Sequence, residues 1–387
     1  MNCIPSPISE RKIQVNNENR IGKENILHTI PRENSINLTP HSTNEKKVLS
    51  EVNSNKIDAL QLPQGKLQRD STHLEKTKKR RLSNDSTDTV GPKTSKKVKH
   101  HQWKNLDSLE INDPFMVAEY TDSIFSHLYE KEIQTLPTHN YLMDTQSPYH
   151  LKSSMRALLI DWLIEVHEKF HCLPETLFLA INLLDRFLSQ NVVKLNKLQL
   201  LCITCLFIAC KFEEVKLPKI ANFAYVTDGA ATVEGIRKAE LFILSSLGYN
   251  ISLPNPLNFI RRISKADNYC IETRNIAKFI MEYSICCNKF IHVKPSYLAA
   301  MSMYIARKIK NDSSKWDDTF IHYSGGIGIE SDPAFEDFIN ELIKDIAVPE
   351  TNLDSLRLKY KKPKHGMVYF KVFDWCKQKT LNHRSEL

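Results

Sequence analysis

The first 102 residues contain no phenylalanine, tyrosine or tryptophan, and this feature most constrains what the chain can fold into. The first aromatic residue is Trp103, and all 4 Trp, 13 Tyr and 17 Phe lie from there onward. A segment rich in Asn, Ser, Thr, Lys and Glu that lacks aromatic residues cannot bury enough apolar surface to offset the entropy of ordering. We therefore predict a disordered arm over residues 1–102 and a folded part that begins at Trp103.

The charge divides at the same place. Residues 1–102 hold 19 Lys and Arg against 11 Asp and Glu, whereas the rest of the chain holds 34 of each. The whole formal charge of +8 therefore lies in the arm. A DNA-binding fold would place its basic surface on an ordered face, so the neutral folded part argues against nucleic acid as a partner.

The sequence shows neither a membrane span nor a signal peptide, and its cysteines do not suggest disulfides. No apolar run approaches the roughly 18 residues of a membrane span, and the N-terminal sequence MNCIPSPISERK lacks the apolar region of a signal peptide. The nine cysteines are an odd number scattered through apolar runs, which suits reduced thiols in a reducing compartment. We expect an intracellular protein with no membrane partner.

Beyond Trp103 the apolar residues recur with a helical period almost throughout, and no alternating run resembles a strand. The pattern predicts helices at 114–132, 153–171, 174–190, 194–213, 217–226 and 233–248. There is also a weak repeat, in which the helix opened by Pro295 follows a helix at 274–289 much as the helix opened by Pro174 follows the one at 153–171. The fold class is all-α, with two helical modules of similar plan.

Residues that could carry catalysis or bind a metal are scarce. Cys202 and Cys205 stand three apart in an apolar helix without a second pair to complete a zinc site, so we interpret them as core thiols. The HExxH motif, the P-loop and the signature elements of a kinase are absent from the sequence. We expect no enzyme activity, no metal and no cofactor.

The segment SSMRALLIDWL, residues 153–163, is apolar on nearly every turn of a helix, yet it carries Arg156 and Asp161. These two residues are five apart, which is too far round the helix for the usual i,i+4 pair. Buried charges are almost always paired, so a structural ion pair near the helix start, which could also reach other backbone, is the favoured interpretation. Periodicity alone also assigns Leu159 and Trp162 to the core.

Several segments, taken in order, resemble those of cyclins. Residues 155–166, MRALLIDWLIEV, closely resemble the start of a cyclin box, and so do residues 206–214, LFIACKFEE. Residues 117–128 look like the helix that precedes the box in B-type cyclins, and residues 295–300 and 358–360 are similar to the cyclin C-terminal fold. The resemblance covers about residues 103–375 and is strongest to the S-phase B-type cyclins of budding yeast.

This resemblance implies tandem cyclin-box helical domains preceded by an N-terminal helix and a long disordered arm. It divides the chain into the arm (1–102), the N-terminal helix and connector (103–150), the first cyclin box (151–250) and the second cyclin-like domain (251–387). It also implies an activating subunit that forms a heterodimer with a cyclin-dependent protein kinase and promotes cell-cycle progression, S-phase entry and DNA replication. The alternative is a cyclin-fold transcription factor that binds nucleic acid.

Two sets of site residues are carried over from the resemblance. The positions that match kinase-binding residues of the family are Lys211, Phe212, Glu240 and Tyr120. The positions that match a docking groove for Arg-x-Leu substrates and inhibitors are Met155, Leu159, Trp162, Gln199, Glu165 and Asp228. Without the resemblance, Lys211 would be interpreted as an ordinary solvated charge at a helix end.

The arm carries three kinds of candidate regulatory motif. A bipartite nuclear import signal is predicted from Lys78, Lys79, Arg80 and Arg81 with a second cluster that includes Lys96 and Lys97, so we expect a nuclear protein that is also found in the cytoplasm. The tripeptide Lys23-Glu24-Asn25 resembles the KEN degron read by the anaphase-promoting ubiquitin ligase, and no arginine of the arm has leucine three residues later. Proline-directed phosphorylation sites are expected at Ser6 and Thr39.

Overall fold

A computed structural model describes residues 103–329 and 332–385 of the protein, and within these residues every regular element is helical. The α-helices are α1 Thr121–Gln134, α2 Ser153–Phe170, α3 Pro174–Gln190, α4 Leu198–Glu213, α5 Ile220–Tyr225, α6 Val233–Ser246, α7 Pro256–Ser264, α8 Ile271–Cys286, α9 Pro295–Lys310, α10 Asp318–Tyr323, α11 Pro333–Ala347, α12 Asp354–Tyr360 and α13 Val368–Ser385. Proline occupies the first turn of α3, α7, α9 and α11, where its missing N–H costs no hydrogen bond. The prediction of an all-α fold is confirmed.

Helix α4 is the centre of the first half. Every residue from position 200 to position 210 is buried, and α3, α6, α2 and α5 pack around the helix. With its preceding 3₁₀ turn, the 19-residue segment Leu195–Glu213 is long and apolar enough to cross a membrane by length and composition alone, so the expectation that no run reaches that limit was wrong. Because 67% of its most apolar 18-residue window is buried inside the protein, we interpret the segment as a core helix.

Helix α9 has the corresponding position in the second half. It packs against α8 and α7, and it also contacts α11 and α13. The pair α8 and α9 repeats the order of α2 and α3, which confirms the two modules expected from the repeat, although α8 begins and ends three residues earlier than the predicted 274–289. Helix α12 packs against α2 and so connects the second half to the first.

The N-terminal helix begins later than predicted. The pattern placed it at 114–132, but α1 starts at Thr121, and Tyr120 lies just before the helix rather than within it. The Asp113 carboxylate accepts a hydrogen bond from the amide of Phe115 at 2.9 Å, and Val117 adopts a left-handed φ of 51°. Both features favour turns and interrupt a regular helix.

The segment before α1 is held on the second half. The ring of Trp103 stacks on that of His322 with 3.6 Å between centroids. Asp107 accepts a hydrogen bond from Arg262 at 2.6 Å and also pairs with Lys265. These contacts fix the segment that precedes α1 against α7 and α10.

Candidate functional site

Lys211 and Glu240 form an ion pair at the end of α4. The Lys211 Nζ lies 2.7 Å from the Glu240 Oε1 and 4.5 Å from the centroid of the Phe207 ring. The two residues are brought together because buried side chains of α6, Ile236 and Ile243, hold that helix against α4. The contact joins residues that are distant in sequence, so no local spacing rule could have predicted it.

Large apolar side chains are exposed near this pair in the sequence. Phe212, the residue after Lys211, is 51% exposed, and Val215 is 99% exposed. Leu241, the residue after Glu240, is 59% exposed. Sequence reasoning missed Val215 and Leu241, although Leu241 lies off the apolar face of an amphipathic helix and could have been noticed for that reason. Exposed apolar groups beside a fixed charged pair are typical of a protein-binding surface.

A second group of exposed apolar residues precedes α1. Tyr120 is 56% exposed, and the turns before it expose Leu109, Ile111 and Phe115, the last of them at 92%. Of these residues only Tyr120 was predicted to belong to a binding site. Phe115 lies within the predicted helix 114–132, whereas Leu109 and Ile111 precede it, and no binding role was assigned to any of the three.

The predicted docking residues of α2 share one stripe of the helix. Met155, Leu159 and Trp162 are spaced at i, i+4 and i+7, and each is half-buried against the core. Gln199, also half-buried, lies in the first turn of α4, and α4 packs against α2. The stripe is therefore neither fully core, as periodicity alone had suggested, nor fully solvated.

The two predicted acidic residues occupy different elements. Glu165 stands one turn beyond Trp162 on α2 and forms an i,i+4 ion pair with Lys169 at 2.9 Å. Asp228 is exposed on the turn after α5, where it has a left-handed φ of 48°. Asp is one of the few residues that tolerate this conformation. Both carboxylates are accessible, and an arginine approaching Glu165 would compete with Lys169 for its carboxylate.

Arg156 and Asp161 do not pair with each other, and the predicted ion pair is wrong in this respect. Arg156 donates to Asp185 from Nε at 2.9 Å and from Nη2 at 2.6 Å, and Tyr141 Oη donates to the same carboxylate at 2.7 Å. Burial alone would lower the pKa of Arg156, but the adjacent Asp185 carboxylate outweighs it and raises the pKa. Sequence reasoning missed Asp185, although an acid inside the apolar run of α3 indicates that a buried cation is near.

Asp161 caps helix α12 from a distance. Its two carboxylate oxygens accept hydrogen bonds from the backbone amides of Ser355 and Leu356, both at 3.0 Å. Ser355 and Leu356 lie in the first turn of α12, and the N–H groups of a first turn find no acceptor within their own helix. Burial raises the pKa of Asp161, although the two amide hydrogen bonds act in the opposite direction. Asp161 therefore binds backbone amides of another helix instead of the arginine with which it was predicted to pair.

The remaining candidates are thiols and residues of the arm. Cys202 and Cys205 are fully buried, and burial raises the pKa of both thiols. Within residues 103–329 and 332–385, no three His, Cys, Asp or Glu side chains form a group that could hold a metal ion. The predicted import signal, the KEN tripeptide, Ser6 and Thr39 lie outside the described residues.

Comparisons with known proteins match nearly the whole described part. The family model "Cyclin, N-terminal domain" matches residues 123–252, and "Cyclin, C-terminal domain" matches residues 254–373. S-phase entry cyclin-6 of Saccharomyces cerevisiae is 91% identical over 379 residues, which cover 98% of this chain and 100% of that protein. S-phase entry cyclin-5 of the same organism is 59% identical over a match that covers 71% of this chain and 63% of that protein. G2/mitotic-specific cyclin-2 of the same organism is 48% identical over a match that covers 58% of this chain and 45% of that protein.

Proposed function

Because this chain belongs to the cyclin family, whose members are kinase regulatory subunits and not enzymes themselves, we propose that it binds and activates a cyclin-dependent kinase at S-phase entry. The two relatives with the highest identity reported above are both named S-phase entry cyclins, which supports the timing. The alternative of a nucleic-acid-binding transcription factor has less support, because the folded part is electrically neutral.

The observation that carries this proposal is the Lys211–Glu240 pair, which the exposed Phe212 follows in the sequence. A protein kinase needs an ion pair between its catalytic lysine and the glutamate of its regulatory helix. A partner that binds only the inward position of that helix shifts the kinase population toward the active state. The charged pair is already formed in the free chain, so little ordering cost remains to be met on binding.

Kinase binding by a double variant tests the proposal. Changing Lys211→Ala and Glu240→Ala together removes both charges, so neither is left unpaired. We expect the helical content to stay the same, and pull-down of the kinase and phosphorylation of histone to fall strongly. Lys371→Ala with Glu272→Ala is the matched control, because it removes an exposed ion pair from the second half. Wild-type kinase activity in the first double variant would refute the assignment.

We also propose that the α2 stripe docks Arg-x-Leu segments of substrates and inhibitors. Met155, Leu159 and Trp162 offer a shallow apolar surface, and Glu165 offers a carboxylate one turn farther along the same helix. An apolar slot beside an acid suits a peptide with one leucine and one cation. The four residues lie on α2, whereas the kinase-facing pair lies on α4 and α6, so the two functions can be separated by mutation.

The arm is proposed to control location and lifetime. The basic clusters at 78–81 and 93–99 have the composition of a bipartite import signal, and their replacement should move a fluorescent fusion from the nucleus to the cytoplasm. An unchanged nuclear signal would show that they are dispensable. Ubiquitin ligases are the proposed readers of the KEN tripeptide and of phosphorylated Thr39, for which a phosphate adds roughly −1.5 to −2 charges at neutral pH.

A further inference from the structure

Two thiols from different elements touch at the end of α4. The Sγ atoms of Cys172 and Cys210 lie 3.6 Å apart. Cys172 is partly exposed in the connection between α2 and α3, whereas Cys210 is fully buried in the last turn of α4. Three other thiols have different partners: Cys286 and Cys287 donate to carbonyls of α8, and Cys270 accepts from Lys310.

We propose that Cys172 and Cys210 form a reversible disulfide when the protein meets a peroxide, and that this closure weakens kinase binding. The second half of this proposal rests on the proposed function. A reducing compartment keeps the pair as two thiols at rest, and disulfides in such compartments are usually transient and redox-sensing.

The chemistry balances with a peroxide as the only co-reactant. The Cys172 thiolate attacks one peroxide oxygen, the O–O bond breaks, and the leaving hydroxide takes up a proton to give water and a sulfenic acid. The Cys210 sulfur then attacks the Cys172 sulfur, the S–O bond breaks, and the second hydroxide leaves as water with the Cys210 proton. The two sulfurs together lose two electrons, which reduce one peroxide to two waters.

The positions of the two residues fix the order of these steps. The hydrogen bond with Cys172 and burial both raise the pKa of Cys210, so this thiol stays protonated until its partner is oxidised. Cys172 is the partly exposed thiol of the pair, so it meets the oxidant first. A disulfide has an S–S distance of about 2.05 Å, so the two sulfurs have to approach each other by about 1.5 Å.

This approach would be transmitted to the kinase-facing pair. Lys211 follows Cys210 directly, and its Nζ contacts Glu240 at 2.7 Å. Glu214 also links the two chain segments, because its carboxylate accepts a hydrogen bond from the Leu173 amide at 2.6 Å. A contraction between the segments therefore strains this link and the last turn of α4, which carries Lys211.

A peptide map of the full chain tests the disulfide. The reduced protein is treated with hydrogen peroxide, its free thiols are blocked with N-ethylmaleimide, and trypsin digestion follows. We expect a crosslink between peptides 170–186 and 198–211, with fragment ions that assign it to Cys172 and Cys210 and with loss of the crosslink in dithiothreitol. Cys172→Ser should abolish it, and the control Cys270→Ser should retain it. Recovery of Cys172 as the maleimide adduct or the sulfinic acid, without a crosslink, would overturn the proposal.

Kinase binding tests the regulatory half after the peroxide has been removed. The oxidised wild type should bind the kinase at least tenfold more weakly than the reduced protein, and dithiothreitol should restore binding. The Cys172→Ser variant should bind equally before and after treatment. A crosslink without a change of affinity would overturn the regulatory half. Failure of the reduced protein to bind the kinase would contradict the proposed function instead, because the peptide map reads the disulfide independently.

Discussion

Arg156 and Asp185 are joined by two hydrogen bonds, at 2.9 and 2.6 Å, in a site where the arginine side chain is 1% exposed. The pair connects α2 to α3 in the first half of the described fold. The remaining nitrogen, Nη1, donates to the carbonyl of Cys286 at the end of α8, at 3.3 Å. The buried guanidinium of Arg156 therefore contacts both halves of the described fold, and its contribution to stability depends on its pairing with Asp185.

Removal of either partner of this pair should be strongly destabilising. Arg156→Ala leaves the buried Asp185 carboxylate without its cation, and we expect the free energy of unfolding to fall by about 3–5 kcal/mol. The double change Arg156→Met with Asp185→Leu should cost less, because no buried charge is left unpaired. Urea unfolding followed by circular dichroism measures both.

A surface ion pair provides the control for that measurement. Lys169→Ala breaks the exposed pair with Glu165 and should change stability by no more than about 0.5 kcal/mol. If Arg156→Ala lowered the free energy of unfolding by no more than Lys169→Ala does, the buried pair would not be a main contributor to stability.

Glu168 should make stability depend on pH in the acid range. Burial alone would raise its pKa, but hydrogen bonds from Lys362 and Lys364 outweigh burial and lower the pKa from 4.5 to about 2. Because the folded pKa is lower than the unfolded one, the stabilisation is complete above about pH 5 and is lost as the pH falls from about 4.5 toward 2. Because solvent screens this half-buried site, we expect the charged Glu168 to contribute only about 1 kcal/mol to the free energy of unfolding.

The variant Glu168→Gln tests this dependence. Its unfolding free energy should lie below that of the wild type at pH 6, and the difference should shrink as the pH is lowered to 3. A difference that stays constant across this range would show that the charge of Glu168 contributes nothing. Chemical denaturation at several pH values gives the comparison.

Docking should be separable from activation. Met155→Ala, Leu159→Ala and Trp162→Ala together should leave kinase binding and activity on a short consensus peptide nearly intact. The KM for protein substrates with a distal Arg-x-Leu segment should rise tenfold or more, since full burial of a large apolar side chain contributes roughly 1.5–3 kcal/mol. Steady-state kinetics on both substrates measure the effect.

Because the three side chains also pack against the core, circular dichroism and thermal unfolding accompany these assays. Glu165→Lys is a second variant that reverses the charge beside the groove without removing core contacts. Equal loss of activity on the peptide and on the docked protein would place the stripe in the core and end the groove hypothesis.

Turnover should depend on phosphorylation more than on the KEN tripeptide. Ser6→Ala with Thr39→Ala should lengthen the half-life more than replacement of Lys23, Glu24 and Asn25, because no Arg-x-x-Leu degron supports the anaphase-promoting ligase in the arm. A cycloheximide chase ranks the variants, and the opposite order would refute the role of phosphorylated Ser6 and Thr39 as the main degradation signal.

Local sequence features determined most of the architecture. The 3.6-residue period predicted α2 and α3 almost to the residue, and Pro174 in the first turn marked the start of α3, because both signals act within one or two turns of the chain. Where a local turn competes with the helix, as at Asp113 and Val117, the period alone gave the wrong start.

Only the tertiary structure decided which side chains meet. Arg156 was recognised as a charge in need of a partner, but Asp185 lies 29 residues away and Asp161 caps a helix nearly 200 residues later. The family resemblance marked Lys211 and Glu240 as kinase-binding positions, but it did not predict that the two side chains contact each other. Neither the resemblance nor the spacing predicted the contact between Cys172 and Cys210. The physical reason is the same in each case: burial creates the need for a partner locally, whereas packing between helices selects the partner.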